Sequence, residues 1–341
     1  MINKRGFWAC VIFLVGALFF FIKNQMTDDN APFQRDEGTI FGTIYHITYR
    51  SKANLQPEIL AELKRFDGSL SMFNPESVIT CVNRGDSTVV LDDWFVHVFT
   101  KGREVSEATG GCFDMTVAPL VNAWGFGFKK SDSVTAAMID SIRQFVGYQK
   151  VRLTPDGRIE KDDPRLMLDA SAIAKGYACD VVAQFLASKG IKDYMVEIGG
   201  EVMTEGYNPQ GREWRIGVNK PIEDASASLG EIEAIVKLHD QGMATSGNYR
   251  NFYYKDGKRF AHTIDPLTGY PVEHTLLSAT VIAADCMTAD AYATAFMVMG
   301  LERSIALVDS IPGLDALFIY SDSTHQDAVV MTKGFEQYIV K

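Results

Sequence analysis

The chain has no C-x-x-C pair. Its five cysteines, Cys10, Cys81, Cys112, Cys179 and Cys286, stand singly along 341 residues, which removes the usual zinc, thiol-exchange and haem-attachment patterns. Buried free thiols are the default expectation. A basic cluster is also missing, and 43 acidic against 33 basic side chains give a net charge of −10, so nucleic acid is not an expected partner. No G-x-G-x-x-G follows a strand-like run, which argues against a dinucleotide-binding doubly wound sheet. Low-complexity tracts and internal repeats are absent too. What remains is 47% hydrophobic, 22% charged and 11% aromatic, a composition that excludes a disordered chain, a collagen-like repeat and a polytopic membrane protein. The length exceeds what one hydrophobic core usually supports, so a two-lobed domain or two closely packed ones, with a cleft between, is expected.

One long apolar run is present, at residues 6–22, preceded by Lys4 and Arg5 and closed by Lys23. It is apolar on every face and just long enough to span a bilayer, so it reads as an export signal or an anchor. No small-x-small cleavage site follows Ile22. Cys10 stands near the start of the run instead of its end, with Phe7 where a lipobox wants Leu, so a lipoprotein is not expected. The favoured reading is an uncleaved anchor over 1–26 in the inner membrane, a polar tether over 27–37, and an exported domain over 38–341 on the periplasmic side.

Beyond the tether, Ile40, Ile44, Ile47 and Tyr49 lie in a β-rich stretch, and Ile59, Leu60, Leu63 and Phe66 give helical spacing over 55–70. The pattern predicts helices over 95–109 and 172–188, strands at 194–198 and 214–218, and a hairpin over 251–264 turning at Asp256-Gly257. A helix over 289–299 ends at Gly300. Such irregular alternation is α+β.

Four segments carry candidate chemistry. In L-D-A-S-A-I-A-K-G-Y (168–177), Asp169, a Ser171 cap and Lys175 converge at the start of a helix, which is either a seat for phosphate or an ordinary capped helix. In T-A-D-A-Y-A-T (288–294), four-residue spacing places Asp290 and Thr294 one turn apart, as two oxygen ligands for a cation such as Mg²⁺ or as a cap with a back-bonding Thr. The turn H-T-I-D-P-L-T-G (262–269) offers His262 and Asp265, either as a general base near a reacting hydroxyl or as local turn chemistry. Aromatic residues beside Gly110-Gly111 and Asp114 suit a flat heterocycle or a core. Gly199-Gly200-Glu201 and Ser246-Gly247-Asn248-Tyr249-Arg250 are further places where backbone can approach a ligand closely, or only a bulge or a turn.

Taken in order, these segments resemble the ApbE family of flavin transferases. The resemblance runs from about Gly38 to Gly334 and rests on F-D-x-T-x-x-P-L-V-N-x-W-G-F at 113–126, L-D-x-S-x-I-A-K-G-Y at 168–177 and V-E-I-G-G-E at 196–201. It continues with T-S-G-N-Y-R-N at 245–251, H-x-I-D-P-x-T-G-x-P at 262–271 and A-D-A-x-A-T at 289–294. It implies a T-fold-type α+β domain with mixed or antiparallel sheets and flanking helices, and an FAD:protein FMN transferase that attaches FMN to a Thr or Ser hydroxyl with release of AMP. Mg²⁺ would be held by the Ala172 carbonyl, Asp290 and Thr294. FAD, as substrate, would be held by Phe41, Phe73, Cys112, Phe113, Asp114, Asp169, Lys175 and Ile264, with His262 as the family histidine. Phe41 replaces a frequent Met and Cys112 a frequent Ala. Implied acceptors are flavin-carrying subunits of sodium-pumping NADH:quinone reductase and Rnf-type complexes. An FAD pyrophosphatase and a non-catalytic exported flavin-binding protein are the alternatives.

Overall fold

The computed structural model describes residues 30–126, 134–221, 231–248, 252–255, 258–261, 263–324 and 326–340. The apolar run at 6–22 lies outside them, and among the described residues no helix is long and apolar enough to cross a membrane. Strands β1 (Phe33–Ile40) and β2 (Thr43–Arg50) pair antiparallel, with Phe33 opposite Arg50. Among the described residues the first strand begins at Phe33, within the stretch read as a tether. The polar stretch is a strand because Asp36 is buried there and its carboxylate accepts the Tyr49 hydroxyl at 2.8 Å.

Helix α1 (Gln56–Leu70) buries Ile59, Leu63, Phe66 and Leu70 along one stripe. At about 1.5–3 kcal/mol per buried side chain, that stripe stabilises a helix whose length alone is marginal in water. After α2 (Val78–Arg84), α3 (Asp93–Ala108) starts where the Asp92 side chain accepts the Phe95 N–H at 2.8 Å. Short helices α4 (Ala118–Ala123) and α5 (Ala136–Arg143) and the ribbon β3 (Val151–Leu153) with β4 (Ile159–Lys161) lead to α6 (Ala174–Ser188). Strands β5 (Tyr194–Ile198) and β6 (Glu201–Glu205) then form a hairpin, followed by β7 (Trp214–Asn219) and β8 (Ile232–Leu238). The chain continues through β9 (Gly242–Gly247), the hairpin of β10 (Phe252–Lys255) with β11 (Lys258–Ala261), and β12 (Leu276–Ala283). It closes with α7 (Cys286–Met299), α8 (Leu301–Val308), β13 (Asp315–Ser321) and β14 (Asp327–Met331).

Among the described residues eight strands form one sheet in the order β1-β2-β5-β6-β9-β12-β13-β14, and its pairings there are all antiparallel. The α+β expectation holds. The main core joins this sheet to α1, α3, α6 and α7 through residues such as Tyr45, Phe66, Val182, Val196 and Phe296. A second cluster, with Val236, Met243, Leu317 and Phe335, packs the β7–β8 hairpin against β9, β12 and β13. A third, smaller cluster gathers Leu120, Ile139, Phe145 and Ile264. The candidate site lies at the seam between this small cluster and the main core.

Candidate active site

A cavity of about 430 Å³ opens at that seam, a size in the roughly 300–1,000 Å³ range of small-molecule sites. Val117, Val121 and Ile264 line it from the small cluster, and Lys175, Glu201, Asp290 and Thr294 from the elements around the main core. Residues more than a hundred positions apart meet here because α6 and α7 lie in close contact. A Cβ on Gly176 would stand 2.4 Å from the Cys286 carbonyl oxygen and 2.7 Å from the Asp290 Cβ, so only glycine allows this approach.

That approach places Asp290 against the first turn of α6, where its Oδ2 accepts the Gly176 N–H at 2.9 Å. Helix-start N–H groups have no intrahelical partner, and here the partner is a carboxylate from another helix. Burial pushes the Asp290 carboxyl above its ordinary range, opposed by Lys175 and by the Gly176 bond. One turn on, the Thr294 hydroxyl lies 3.2 Å from the Ser246 hydroxyl. Ala172, in the turn before α6, lines the same cavity. A carboxylate, a hydroxyl and a backbone carbonyl are hard oxygen donors, the chemistry Mg²⁺ prefers. Among the described residues no group of three His, Cys, Asp or Glu side chains is arranged to hold a metal, so a cation here would rely on such mixed donors.

Lys175 sits one residue before Gly176, and its Nζ lies 2.5 Å from Glu201 Oε1. Burial works against the Lys175 charge, but Asp290 and Glu201 together outweigh it and hold its pKa above the ordinary lysine value. Glu201 is almost fully buried, and burial and Asp290 push its carboxyl up to about 7 while Lys175 opposes them. Its Oε2 has no hydrogen-bond partner among the described residues. The β5–β6 turn explains the placement. Gly199 and Gly200 both take positive φ, 69° and 104°, the backbone of a tight two-residue hairpin. The turn sets Ile198 opposite Glu201, so both face the core side of the sheet.

The model of the ApbE family matches residues 41–318, most of the chain. The chain belongs to the ApbE family. It is 38% identical over 284 residues to an FAD:protein FMN transferase of Vibrio cholerae serotype O1, covering 80% of this chain and 83% of that one. Against an FAD:protein FMN transferase of Escherichia coli K12 it is 33% identical over 351 residues, covering 97% of each. Its fold is similar to that of the flavin transferase ApbE from Vibrio cholerae, with a TM-score of 0.80 at 35% identity over 90% of this chain and 99% of that one.

In this ApbE-family chain the residues expected at the site divide into three groups. Cys112, Phe113, Asp114, Asp169, Ala172, Lys175, Ile264, Asp290 and Thr294 all line the cavity. Within that set Asp114 knits its own loop. It accepts the Thr116 N–H and hydroxyl, each at 2.7 Å, and the Tyr148 N–H at 2.8 Å. The Cys112 sulfur lies 3.2 Å from the Arg303 guanidinium, and burial pushes its thiol up. Phe41 and Phe73 do not line the cavity: Phe41 packs on Phe66 at 5.7 Å between ring centroids, and Phe73 is 82% exposed. His262 lies outside the described residues, while Thr263 and Ile264 after it reach the cavity wall.

Two local readings need correction. Ser171 is not the cap of α6; it is exposed, its N–H donates to Asp169 Oδ1 at 2.8 Å, and the cap position is Ile173 with no side-chain bond. The helix carrying Asp290 starts at Cys286 instead of Ala289, because the Asp285 side chain accepts the Thr288 N–H at 2.7 Å and caps it earlier. Glu201 and Ser246 belong to the site through their side chains, whereas the sequence pattern of G-G-E at 199–201 and S-G-N-Y-R at 246–250 marks both segments only as places of close backbone approach.

Proposed function

We propose that this ApbE-family transferase moves FMN from FAD to a threonine or serine hydroxyl of a protein, using Mg²⁺ and releasing AMP. The observation that carries the reading is the meeting of Lys175, Asp290, Thr294 and Ala172 at the start of α6 in one cavity, in a chain whose relatives bear the name FAD:protein FMN transferase. In the step proposed, the acceptor oxygen bonds to the FMN phosphorus, the bond from that phosphorus to the AMP oxygen breaks, and the acceptor proton passes to a base. FAD diphosphate cleavage supplies the driving force, so no ATP is consumed.

Each residue has a definable part. Lys175, fixed by Glu201, would offer a positive charge and N–H donors to the diphosphate. Asp290, Thr294 and the Ala172 carbonyl would hold Mg²⁺, which when bound neutralises diphosphate charge and favours departure of AMP. Asp290 is already oriented by Gly176 and needs little reorganisation. His262 is the base we assign from the family resemblance. Phe113, Cys112 and Ile264 supply apolar wall for a flavin nucleotide, with Asp169 beside them. We further propose that residues 1–26 anchor the chain uncleaved in the inner membrane, with the catalytic domain on the periplasmic side. The acceptors we propose are flavin subunits of sodium-pumping NADH:quinone reductase or Rnf-type complexes.

The test incubates the full-length protein in detergent with FAD, Mg²⁺ and a purified quinone-reductase flavin subunit. Flavin fluorescence on the subunit that survives a denaturing gel is the expected result. Free FMN and AMP formed at a rate indifferent to the subunit, with no fluorescent band, would favour a pyrophosphatase instead.

A further inference from the structure

We infer that Asp180 is a positioning residue for the cation site, acting through the first turn of α7; the inference rests on the Mg²⁺ reading given above. Asp180 lies on α6, one turn beyond Gly176, and is almost wholly buried. Its Oδ1 accepts the Cys286 N–H at 2.9 Å and its Oδ2 the Met287 N–H at 2.8 Å. Those are first-turn donors of α7, which have no partner within their own helix. The local cap Asp285 does not serve them, since its oxygens go to the Thr288 N–H and hydroxyl.

The two helices are therefore tied by reciprocal carboxylates. Asp180 of α6 holds the start of α7, and Asp290 of α7 holds the start of α6 through Gly176. The Gly176 contact with the Cys286 carbonyl sets how near the helices come. It does not fix their offset along the axis, because a carbonyl against a glycine face can slide. Asp180 fixes the offset more tightly than the single Asp290–Gly176 bond, since two oxygens on two consecutive N–H groups allow one register only. A slip of one residue moves a helix by about 1.5 Å. Asp290 follows Met287 by three residues, within the same turn, and Thr294 lies one turn further. A shift of the start of α7 thus carries both donors relative to Ala172 and Lys175 at the start of α6. Mg²⁺ tolerates little of this, because it requires near-octahedral ligands at about 2.0–2.1 Å. Asp180 itself is absent from the cavity wall, so its effect on the cation passes through α7.

The test measures Mn²⁺ binding, as a paramagnetic stand-in for Mg²⁺, by the loss of the free Mn²⁺ resonance on titrating full-length protein in detergent. Asp180→Asn keeps the volume but presents an amide N–H₂ to one of the two backbone donors. Asp180→Ser is the second variant, leaving room for a water in place of the carboxylate. Both should weaken Mn²⁺ binding about tenfold or more and raise the Mg²⁺ concentration for half-maximal turnover in parallel, with kcat at saturating Mg²⁺ little changed. Val182→Ala, which removes only fully buried apolar packing from the same helix, is the control: it should lower the thermal midpoint yet leave the Mn²⁺ affinity unchanged. Wild-type Mn²⁺ affinity in both folded Asp180 variants, or an equal loss in Val182→Ala, overturns the inference. A wild-type protein that binds no Mn²⁺ overturns the cation reading beneath it.

Discussion

Asp290 has two oxygens and two tasks. One accepts the Gly176 N–H, and the other is the only full negative charge among the donors proposed for the cation. Asp290→Asn separates the tasks, because the amide carbonyl can still accept from Gly176 while the charge is lost. Mg²⁺-dependent turnover should fall about a hundredfold or more, since a bound metal supplies several kcal/mol of charge stabilisation, while far-ultraviolet circular dichroism stays native. Near-normal rates at modest Mg²⁺ would remove Asp290 from the metal site. Lys175 is separable in the same way. Lys175→Met keeps the stem and deletes the charge, and charge-assisted bonds to phosphate are worth about 1.5–3 kcal/mol. The KM for FAD should therefore rise about tenfold or more. An unchanged KM would mean that Lys175 serves only to neutralise Glu201.

Gly176 shows what a pair of elements adds to single residues. A methyl there meets backbone at 2.4 Å in a helix whose buried residues include its neighbours Tyr177, Ala178 and Cys179, so α6 and α7 must part. Gly176→Ala should cost about 1–3 kcal/mol of stability, read by urea denaturation, and weaken Mg²⁺ activation as well. A variant as stable as wild type would show that the helices can separate freely. This contact also marks the limit of what the sequence makes legible. The stripe Ile173, Tyr177, Val181 and Phe185 announces α6, and the structure buries the first three and leaves Phe185 half-buried. The β5 strand and the hairpin strands β10 and β11 fall where alternation and Asp256-Gly257 place them. Asp180 breaks the pattern: an acidic residue at a buried helix position has its partners 106 and 107 residues away, and no periodicity encodes that. Ser171 misleads for a related reason. It is the residue type that caps helices, but α6 begins only at Ala174 with Ile173 in the cap position, so Ser171 stands exposed outside the helix. Phe73 shows a third limit: the family resemblance assigns it to FAD by its place in the chain, but it stands 82% exposed and off the cavity wall.

At the scale of the molecule, the seam concentrates buried acid groups. Burial pushes Asp180 up to about 8, opposed by the Cys286 and Met287 N–H bonds and aided by Asp285 and Asp290, and burial with Asp290 pushes Glu201 up to about 7 against Lys175. Carboxyls of the unfolded chain titrate near pH 4. The folded state thus keeps protons that the unfolded chain has released, and stability must fall as pH rises through that interval. The contribution is complete below about pH 4 and is lost through about pH 7 to 8. Calorimetry of the cation-free protein should show the thermal midpoint declining between about pH 5 and 8; a rising midpoint would mean that both groups are already ionised at low pH.

The chemistry proposed for the whole molecule is that flavin passes to a protein hydroxyl and not to water. Stoichiometry tests it most directly. Full-length protein, FAD, Mg²⁺ and a purified flavin subunit are allowed to react, and AMP is counted against flavin that stays on the subunit after denaturation. The transfer mechanism predicts one AMP per flavin retained, and AMP formation that stops when the subunit is filled. AMP that continues to accumulate with free FMN, in excess of any flavin on the subunit, would contradict it.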